Sequence, residues 1–272
     1  MNKHIHNIIL NYFSLKFNLY IYHFMKFFYS ENRLINRKKA LKPLLVNTKK
    51  LLNYSEILLE NLFDELKSDK ISKILVLGDR QNFAKQCIKQ TFPKAEIDSL
   101  YFIDLHLTQN YYDLVVSFYD ISTIKNLKEY LYIIMESLNS NGVVVGCFFG
   151  ADSLINLRQL LWQIEETITN KYPLRINPML KLKDLTGLIQ NTGFKNIITF
   201  KDNIEINFEN MLELIHNIRN FGENGIFEKT ESFSKQVASL IKNDSKKFTE
   251  KFEILSFCAS RSSELFTNQV NM

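Results

Sequence analysis

Cysteine is scarce in this chain, and its three residues, Cys87, Cys147 and Cys258, are far apart and form no Cys-x-x-Cys pair. Widely spaced cysteines in an odd number predict neither a disulfide framework nor a zinc site, so a reducing cytoplasm fits the sequence. Histidine is equally sparse: beyond residue 24 only His106 and His216 remain, too isolated to build an iron centre. No metal site is expected.

Long apolar runs are also missing. The first 28 residues are apolar and aromatic, but residues such as Asn7, Asn11 and Lys16 interrupt them. The uninterrupted run stays well below the roughly 18 residues that a membrane-spanning helix needs. The chain has no Gly-x-x-x-x-Gly-Lys loop and no Ser-His-Asp set recognisable by spacing. We therefore expect no transmembrane segment, no P-loop chemistry and no hydrolytic triad.

Positive charge is concentrated at one end of the chain. The formal charge is +5, from 34 Lys and Arg against 29 Asp and Glu. Residues 1–50 hold ten of the basic residues and Glu31 as their single acid, a charge of +9 that leaves −4 for residues 51–272. Nucleic-acid binding needs a concentrated basic face on the folded body. No nucleic-acid partner is therefore expected.

What the chain does have is enough apolar residues, 46% of 272, to fill a substantial core. Strand-like and helix-like segments alternate between residues 73 and 148, which predicts an α/β domain with a parallel sheet. The predicted strands are 73–77, 95–98, 112–117, 143–148 and 252–257, with a hairpin over 197–208, a turn at 139–142, and helices within 31–70 and over 82–91, 127–138, 154–168 and 211–221.

A series of short motifs in the second half of the chain is the most specific signal. The motifs are Phe-Phe-Gly-Ala-Asp-Ser-Leu at 148–154, Leu157-Arg158, Asn-Pro-Met at 177–179, Asp184-Leu185, Gly193-Phe194 and Phe-Gly-Glu-Asn at 221–224. In this order they resemble the C-terminal half of a class I methyltransferase-fold group: the mitochondrial complex I assembly factors of methyltransferase type, their alphaproteobacterial relatives and, more distantly, the malonyl-carrier-protein methyltransferases of biotin synthesis. The resemblance implies a Rossmann-like, mostly parallel sheet with helices on both faces.

The resemblance also suggests where the domain begins. It starts near Phe27, just after a second methionine, Met25. Residues 1–24 are therefore either a leader or a mis-assigned start, and both Met1 and Met25 stay open as the true start. A membrane-surface or organelle-targeting segment is a further reading of this window. Residues 25–272 are expected to form a single methyltransferase-like domain.

The cofactor half departs from the family pattern. Relatives carry Asp-Leu-Gly-Cys-Gly-x-Gly after the first strand, whereas here Gly78 is the only glycine retained and Arg80 and Asn82 replace two others. The resemblance implies Gly78, Asp98 and Ser117 as the residues that would hold S-adenosylmethionine. Only residues 99–111 separate Asp98 from the next predicted strand, too few for a helix and a strand, so one βα unit is expected to be missing. Binding of the cofactor is expected to be weak or lost.

The other half keeps the family's polar positions. The resemblance implies that Asp152, Arg158, Arg219, Glu223 and Asn224 line a groove for a substrate or partner. A structural role is the alternative: Asp152 or Ser153 would cap the helix that follows, and Arg158 would pair with a carboxylate.

Three functions follow as hypotheses. The first is a bacterial cytoplasmic factor with a degenerate S-adenosylmethionine site that assembles respiratory complex I or modifies an arginine on one of its subunits. The second is an active O-methyltransferase acting on a small molecule or carrier protein, which needs a competent cofactor pocket. The third is a non-catalytic pseudoenzyme that keeps the fold as a binding module. Whether the chain is an enzyme stays open on sequence alone.

Overall fold

The central strands of the sheet are short apolar runs that are covered on both faces. In this computed structural model, which describes residues 46–64, 66, 70–79, 82–100, 107–121, 124–176, 178–221 and 232–263, β1 (Lys73–Leu77) and β3 (Tyr112–Phe118) are buried along almost their whole length. Strands buried on both faces are typical of parallel sheets in α/β proteins. Helices cover these strands because each presents an apolar stripe to the core.

The remaining elements include two helices, over 182–192 and 235–243, that the sequence did not predict. In chain order, the remaining elements are α1 (Val46–Asp64), α2 (Phe83–Thr91), β2 (Glu96–Leu100), α3 (Leu127–Ser137), β4 (Leu138–Phe149), α4 (Ile155–Thr169), α5 (Leu182–Thr192), β5 (Lys195–Phe208), α6 (Met211–Phe221), α7 (Lys235–Asn243) and β6 (Phe248–Ser260).

The six strands form one sheet in the order β2-β1-β3-β4-β6-β5. Strands β1 to β4 are parallel, and β6 runs antiparallel to both of its neighbours. The expected α/β architecture, mostly parallel with an antiparallel closing strand, is confirmed. Strand β2 lies at the edge, and only residues 101–111 connect it to β3. Eleven residues are too few for both a helix and a further strand.

The predicted hairpin over 197–208 is wrong, because this segment is one continuous strand. Residues Lys201, Asp202 and Asn203, expected to turn, pair in register with Leu255, Ile254 and Glu253 of β6. Strand β5 is the edge of the sheet, so it can place polar side chains in solvent without leaving the ladder.

The predicted turn at 139–142 is also wrong. Strand β4 starts at Leu138, directly after α3, and Leu138 pairs with Tyr112. The register shifts between Tyr112 and Leu114, so a bulge absorbs the residues that were expected to turn.

Helix α1 joins the two halves of the sheet. It lies against α2, β4, β6 and α6. Thr48 donates a hydrogen bond to Asn217 of α6 at 2.8 Å, and Ser55 shares a very short one with Tyr119, just after β3. Residues 1–45, including the expected leader, lie outside the described part of the chain. Within the described residues, no helix combines the length and apolarity needed to cross a membrane.

Two glycines give a matched test of this packing. A Cβ on Gly146, in the centre of β4, would lie 2.5 Å from the Phe257 ring and 2.8 Å from the Ser117 carbonyl oxygen, whereas one on Gly187, inside α5, meets nothing within 4 Å. We expect Gly146→Ala to lower the free energy of unfolding by about 2 kcal/mol through overpacking. Gly187→Ala should raise it by about 0.5–1 kcal/mol through helix propensity. Urea unfolding of both variants measures this, and equal effects would contradict the packing around Gly146.

Candidate functional site

The turn between β1 and α2 begins at the one glycine of the motif, Gly78, and ends at Asn82. Gly78 has φ +76° and Asn82 has φ +58°, so the backbone is left-handed at both ends of the turn. Asparagine is among the few residues that tolerate this conformation. The Gly78 N–H donates to the Leu100 carbonyl at 3.0 Å, which ties the turn to the end of β2. The left-handed conformation at position 82 is therefore compatible with Asn82 in place of a glycine.

The chain's own acidic side chains fill this turn. The buried carboxylate of Asp79 accepts hydrogen bonds from the N–H groups of Ala84 at 2.9 Å and Lys85 at 3.1 Å, so it caps the start of α2. Asp120 packs against Gly78, where a Cβ would lie 2.8 Å from the Asp120 Cβ, and it accepts a hydrogen bond from the Tyr130 hydroxyl at 2.5 Å. A free helix N-terminus is an anion site; this one is occupied by Asp79.

The three cofactor candidates lie on or directly after three neighbouring strands of the sheet. Gly78 directly follows Leu77, which pairs with Ser117, so Gly78 and Ser117 lie at the carboxyl ends of neighbouring strands. Asp98 is the third of five residues in β2, not at its end as expected, and accepts a hydrogen bond from the Tyr112 hydroxyl at 3.0 Å. The pKa of Tyr112 is raised, first by burial and then by this bond.

Ser117 is the exception among the polar groups here, because its buried Oγ has no hydrogen-bond partner. In the described part of the chain, Ser117 thus offers a ligand one hydroxyl. Asp79 accepts the first N–H groups of α2, and Tyr112 bonds to one oxygen of Asp98.

The second half of the site is built on the loop after β4, which Glu253 of β6 holds in place. The Gly150 N–H donates to the Glu253 carbonyl at 2.9 Å and the Asp152 N–H to the Glu253 carboxylate at 3.0 Å. The Ser153 hydroxyl exchanges two 3.0 Å hydrogen bonds with the Glu253 backbone. The Glu253 carboxylate occupies the space that a Cβ on Gly150 would need. The part of the signature that follows β4, residues 150–154, is therefore a loop held by contacts with one buried residue, Glu253.

Lys201 balances the charge of this carboxylate. Its Nζ lies 3.0 Å from Glu253 and 3.4 Å from Asp152, and the pKa of Lys201 is raised, first by its hydrogen bond to Glu253. Asp152 is half exposed, so the outer part of this cluster faces solvent.

A second buried carboxylate, Glu250, caps helix α4. It accepts hydrogen bonds from the N–H groups of Leu157 at 2.7 Å and Asn156 at 3.3 Å. The N-cap residue is Leu154, whose side chain offers no hydrogen bond. The prediction that Asp152 or Ser153 caps this helix is therefore wrong, because the cap comes from β6, about ninety residues away in sequence.

Arg158 lies one residue beyond this cap. Its side chain is half-buried, and its Nε and Nη2 are fully buried without a hydrogen-bond partner. The expected structural alternative, pairing with a carboxylate, is not seen: the neighbouring Glu250 feels the charge of Arg158 but makes no ion pair with it. Arg219 is exposed on α6. Glu223 and Asn224 lie outside the described residues.

Sequence reasoning missed Glu250, Glu253 and Lys201. The signal that could have found them is an acid pair, Glu250 and Glu253, next to an otherwise apolar strand, since buried acids need partners. It also missed the bidentate ion pair of Arg175 with Glu165, which fixes the segment after α4.

One further group of possible metal ligands occurs in the part of the chain that the structure describes. The ligand atoms of Glu56, Glu60 and Cys87 lie within 4.8 Å of one another. Burial, and then the charges of Glu56 and Glu60, raise the pKa of the Cys87 thiol to about 12, so it is protonated at neutral pH. This weakens it as a nucleophile, because the thiolate is the reactive form.

Relatives of this chain are methyltransferase-fold proteins. It is 30% identical over 159 residues to the methyltransferase-like protein RP459 of Rickettsia prowazekii, which covers 58% of this chain and 70% of that protein. It is 29% identical over 160 residues to the mitochondrial arginine-hydroxylase NDUFAF5 of Rattus norvegicus and 31% identical over 119 residues to the human one. These matches cover 46% and 34% of the two NDUFAF5 proteins, so the chain spans less than half their length. No family model matches the chain.

Solved structures with a similar arrangement are more distant. They include a methyltransferase-like protein of Bacillus halodurans (9% identity, TM-score 0.43, 75% of this chain and 99% of that one). A Haemonchus contortus phosphoethanolamine N-methyltransferase 2 bound to S-adenosylmethionine is another (15% identity, TM-score 0.40, 74% of this chain and 51% of that one).

The sheet order with its antiparallel closing strand and the identity to RP459 together define the class. The chain belongs to the class I methyltransferase-fold family that includes RP459 and the NDUFAF5 proteins.

The environment of Glu250 predicts a pH effect on stability. Burial raises its pKa, although the N–H groups that it accepts and the charge of Arg158 act in the opposite direction. A raised folded-state pKa means that the folded protein binds this proton more tightly, so the contribution to stability is present below the ordinary glutamate pKa and lost as pH rises through the folded value. The free energy of unfolding of wild type minus that of Glu250→Gln should therefore increase between about pH 7 and about pH 5. Urea unfolding across this range measures the difference.

The exposed Glu205 supplies the control, since its position on edge strand β5 leaves it in solvent. Glu205→Gln should show a smaller pH dependence over the same range. A difference for Glu250→Gln that decreased on acidification would mean that the hydrogen bonds to its carboxylate outweigh the burial.

Proposed function

We propose that this protein is a methyltransferase-fold factor that acts on a protein partner in the bacterial cytoplasm, with S-adenosylmethionine binding weak or lost. Its work would be the assembly of a respiratory complex such as complex I, or the modification of an arginine on one of its subunits. The relatives named arginine-hydroxylases support the modification of an arginine. The single observation that carries the weak or lost binding of S-adenosylmethionine is the Asp79 carboxylate at the N-terminus of α2.

The argument against ordinary cofactor binding is electrostatic. An S-adenosylmethionine carboxylate arriving at the α2 N-terminus would meet the Asp79 carboxylate, which already accepts the N–H groups of Ala84 and Lys85. Like charges in a buried site repel strongly. The short connection over 101–111 also leaves little chain to build a wall for the adenine. Two separate features therefore weaken one pocket.

The argument for a protein partner rests on the other half of the site. Glu250 and Glu253 fix the loop from Gly150 to Leu157 through buried hydrogen bonds, which holds Asp152 and Arg158 on a rigid base. Functional residues held by buried supporting groups are typical of binding sites.

Two other functions would show themselves in the same experiments. An active O-methyltransferase requires ordinary cofactor affinity, and Ser117, with its free buried hydroxyl, is the one described group that favours it. A pseudoenzyme would bind its partner and leave it unmodified.

Calorimetry with S-adenosylmethionine tests the cofactor argument. We expect a dissociation constant no tighter than about 1 mM, roughly −4 kcal/mol. The matched variant is Asp79→Cys/Arg80→Gly/Asn82→Gly, which restores the Gly-Cys-Gly-x-Gly pattern and removes the carboxylate. It should bind more tightly than wild type.

The measured dissociation constants distinguish the weakened cofactor pocket from the O-methyltransferase hypothesis. A micromolar constant for wild type would contradict the weakened pocket and favour the O-methyltransferase. A repaired variant that gains no affinity would place the defect in the connection 101–111 and not in the turn.

Replacing Arg158 tests the partner site. We expect Arg158→Ala to lower co-purification with respiratory-complex subunits, corresponding to a loss of about 2 kcal/mol. Its melting temperature should stay the same or rise, because the guanidinium edge that is removed has no partner in the folded protein. Glu223→Ala, in the Phe-Gly-Glu-Asn motif at 221–224, should also lower co-purification with the partner.

Glu205→Ala is the control, because Glu205 is exposed and outside the motifs. A structural role for Arg158 predicts the reverse pattern, a lower melting temperature with the partner retained, and that result would contradict the proposal.

A further inference from the structure

One edge of the Arg158 guanidinium is buried and unpaired. Its Nε and Nη2 atoms are both buried and make no hydrogen bond. These two nitrogens form the side of the planar group from which two N–H bonds point in parallel, the fork that recognises a carboxylate. In the described ranges, Arg158 is the only charged side chain with buried donors left unpaired in this way.

The unpaired edge of Arg158 lowers the stability of the folded protein, so its presence needs an explanation. A buried donor without a partner loses its hydration without replacement, and the loss is larger for a charged group. Native proteins keep few such groups, and they concentrate where a ligand completes them.

The nearest acid does not complete the fork. The Glu250 carboxylate is close enough to Arg158 for the charge to lower its pKa. Its oxygens, however, are committed to the N–H groups of Leu157, Asn156 and Lys251. Rotation of Glu250 toward Arg158 would uncap α4. The fork is therefore kept free by the same residue that holds the helix.

We propose that the Nε and Nη2 edge of Arg158 binds a side-chain carboxylate of the protein partner through two parallel hydrogen bonds. This rests on the proposed function and adds the chemical class that Arg158 recognises. Both nitrogens are closed to solvent in the free protein, so binding requires the groups that cover this edge to move aside. A carboxylate fits better than a phosphate, because the buried Glu250 lies beside the fork and a second negative charge on the ligand would be repelled more strongly.

The neighbouring surface suits a protein segment. Trp162 lies one turn further along α4, on the side of the helix that it shares with Arg158, and it is exposed. Tryptophan and arginine are the residues most enriched at the energetic centres of protein interfaces. A partner segment with an acidic residue could place its carboxylate on Arg158 and its apolar atoms on the indole.

The test is an NMR titration of the full chain with N-acetyl-aspartate N-methylamide. The Arg158 Nε–H signal, assigned by its loss in Arg158→Lys, should move downfield and saturate with a millimolar dissociation constant. Arg175 is the internal reference, because its Nε already donates to Glu165 at 3.0 Å, so its signal should not move. Trp162 is the only tryptophan in the sequence. Its single indole N–H signal therefore reports binding both in wild type and in Arg158→Lys. In Arg158→Lys we expect binding at least tenfold weaker, since lysine lacks the fork.

Three results would overturn the inference. Equal shifts with the asparagine analogue would show that the charge is not recognised. Equal shifts with sodium chloride of matched ionic strength would show a screening effect only, and tighter binding of inorganic phosphate would make the ligand class wrong. If the aspartate analogue produced no shift of the Arg158 signal while the protein still co-purified with its partner, the carboxylate contact would be wrong and the proposed function would remain.

Discussion

Two carboxylates on β6 hold together the half of the molecule that carries the family signature. Glu253 accepts the Asp152 N–H and fills the space beside Gly150, while Glu250 accepts the first N–H groups of α4. A buried carboxylate is costly unless backbone donors surround it. Here the donors are N–H groups of the signature loop and of the first turn of α4, for which the described part of the structure shows no other acceptor. The acids and the signature loop therefore stabilise each other, and neither would keep its conformation alone.

The first half of the molecule follows a different principle. Gly78 and Asn82, at the two ends of the turn after β1, both have a left-handed backbone conformation. The space above this turn is filled by Asp79 and Asp120, both hydrogen-bonded within the protein. Backbone path is set by strand pairing and helix packing, whereas ligand affinity depends on the groups left free. The fold alone therefore does not decide whether a ligand binds.

Periodicity predicted the buried elements well and the exposed ones poorly. The strand 73–77 is confirmed in full, and the strand 112–117 is one residue longer in the structure, because continuous apolar runs leave few alternatives. The polar triplet Lys201-Asp202-Asn203 was misread as a turn, since an edge strand tolerates the residues that turns favour. The helix at Lys235–Asn243 was not predicted.

The candidate site was harder to predict because its supporting contacts join distant parts of the chain. The motifs pointed to Asp152 and Arg158, but nothing local indicates that Glu250 caps the helix before Arg158. Such contacts are tertiary, and single-sequence patterns carry little information about them. The cofactor candidate Asp98 lies in the middle of its strand, and its hydrogen bond to Tyr112 depends on the register with β1 and β3.

Hydrogen-bond satisfaction separates the charged residues of the two halves, although the buried hydroxyl of Ser117 beside the glycine turn is also unpaired. Asp79, Asp98 and Asp120 each have partners in their own chain, so they stabilise the fold without any ligand. Arg158 has a buried edge with none. Natural proteins tolerate unsatisfied groups mainly where function compensates for the lost stability. Burying an unpaired charged donor costs more than burying an unpaired hydroxyl such as that of Ser117. In the described residues, the unpaired buried group with the larger expected cost therefore lies in the signature half.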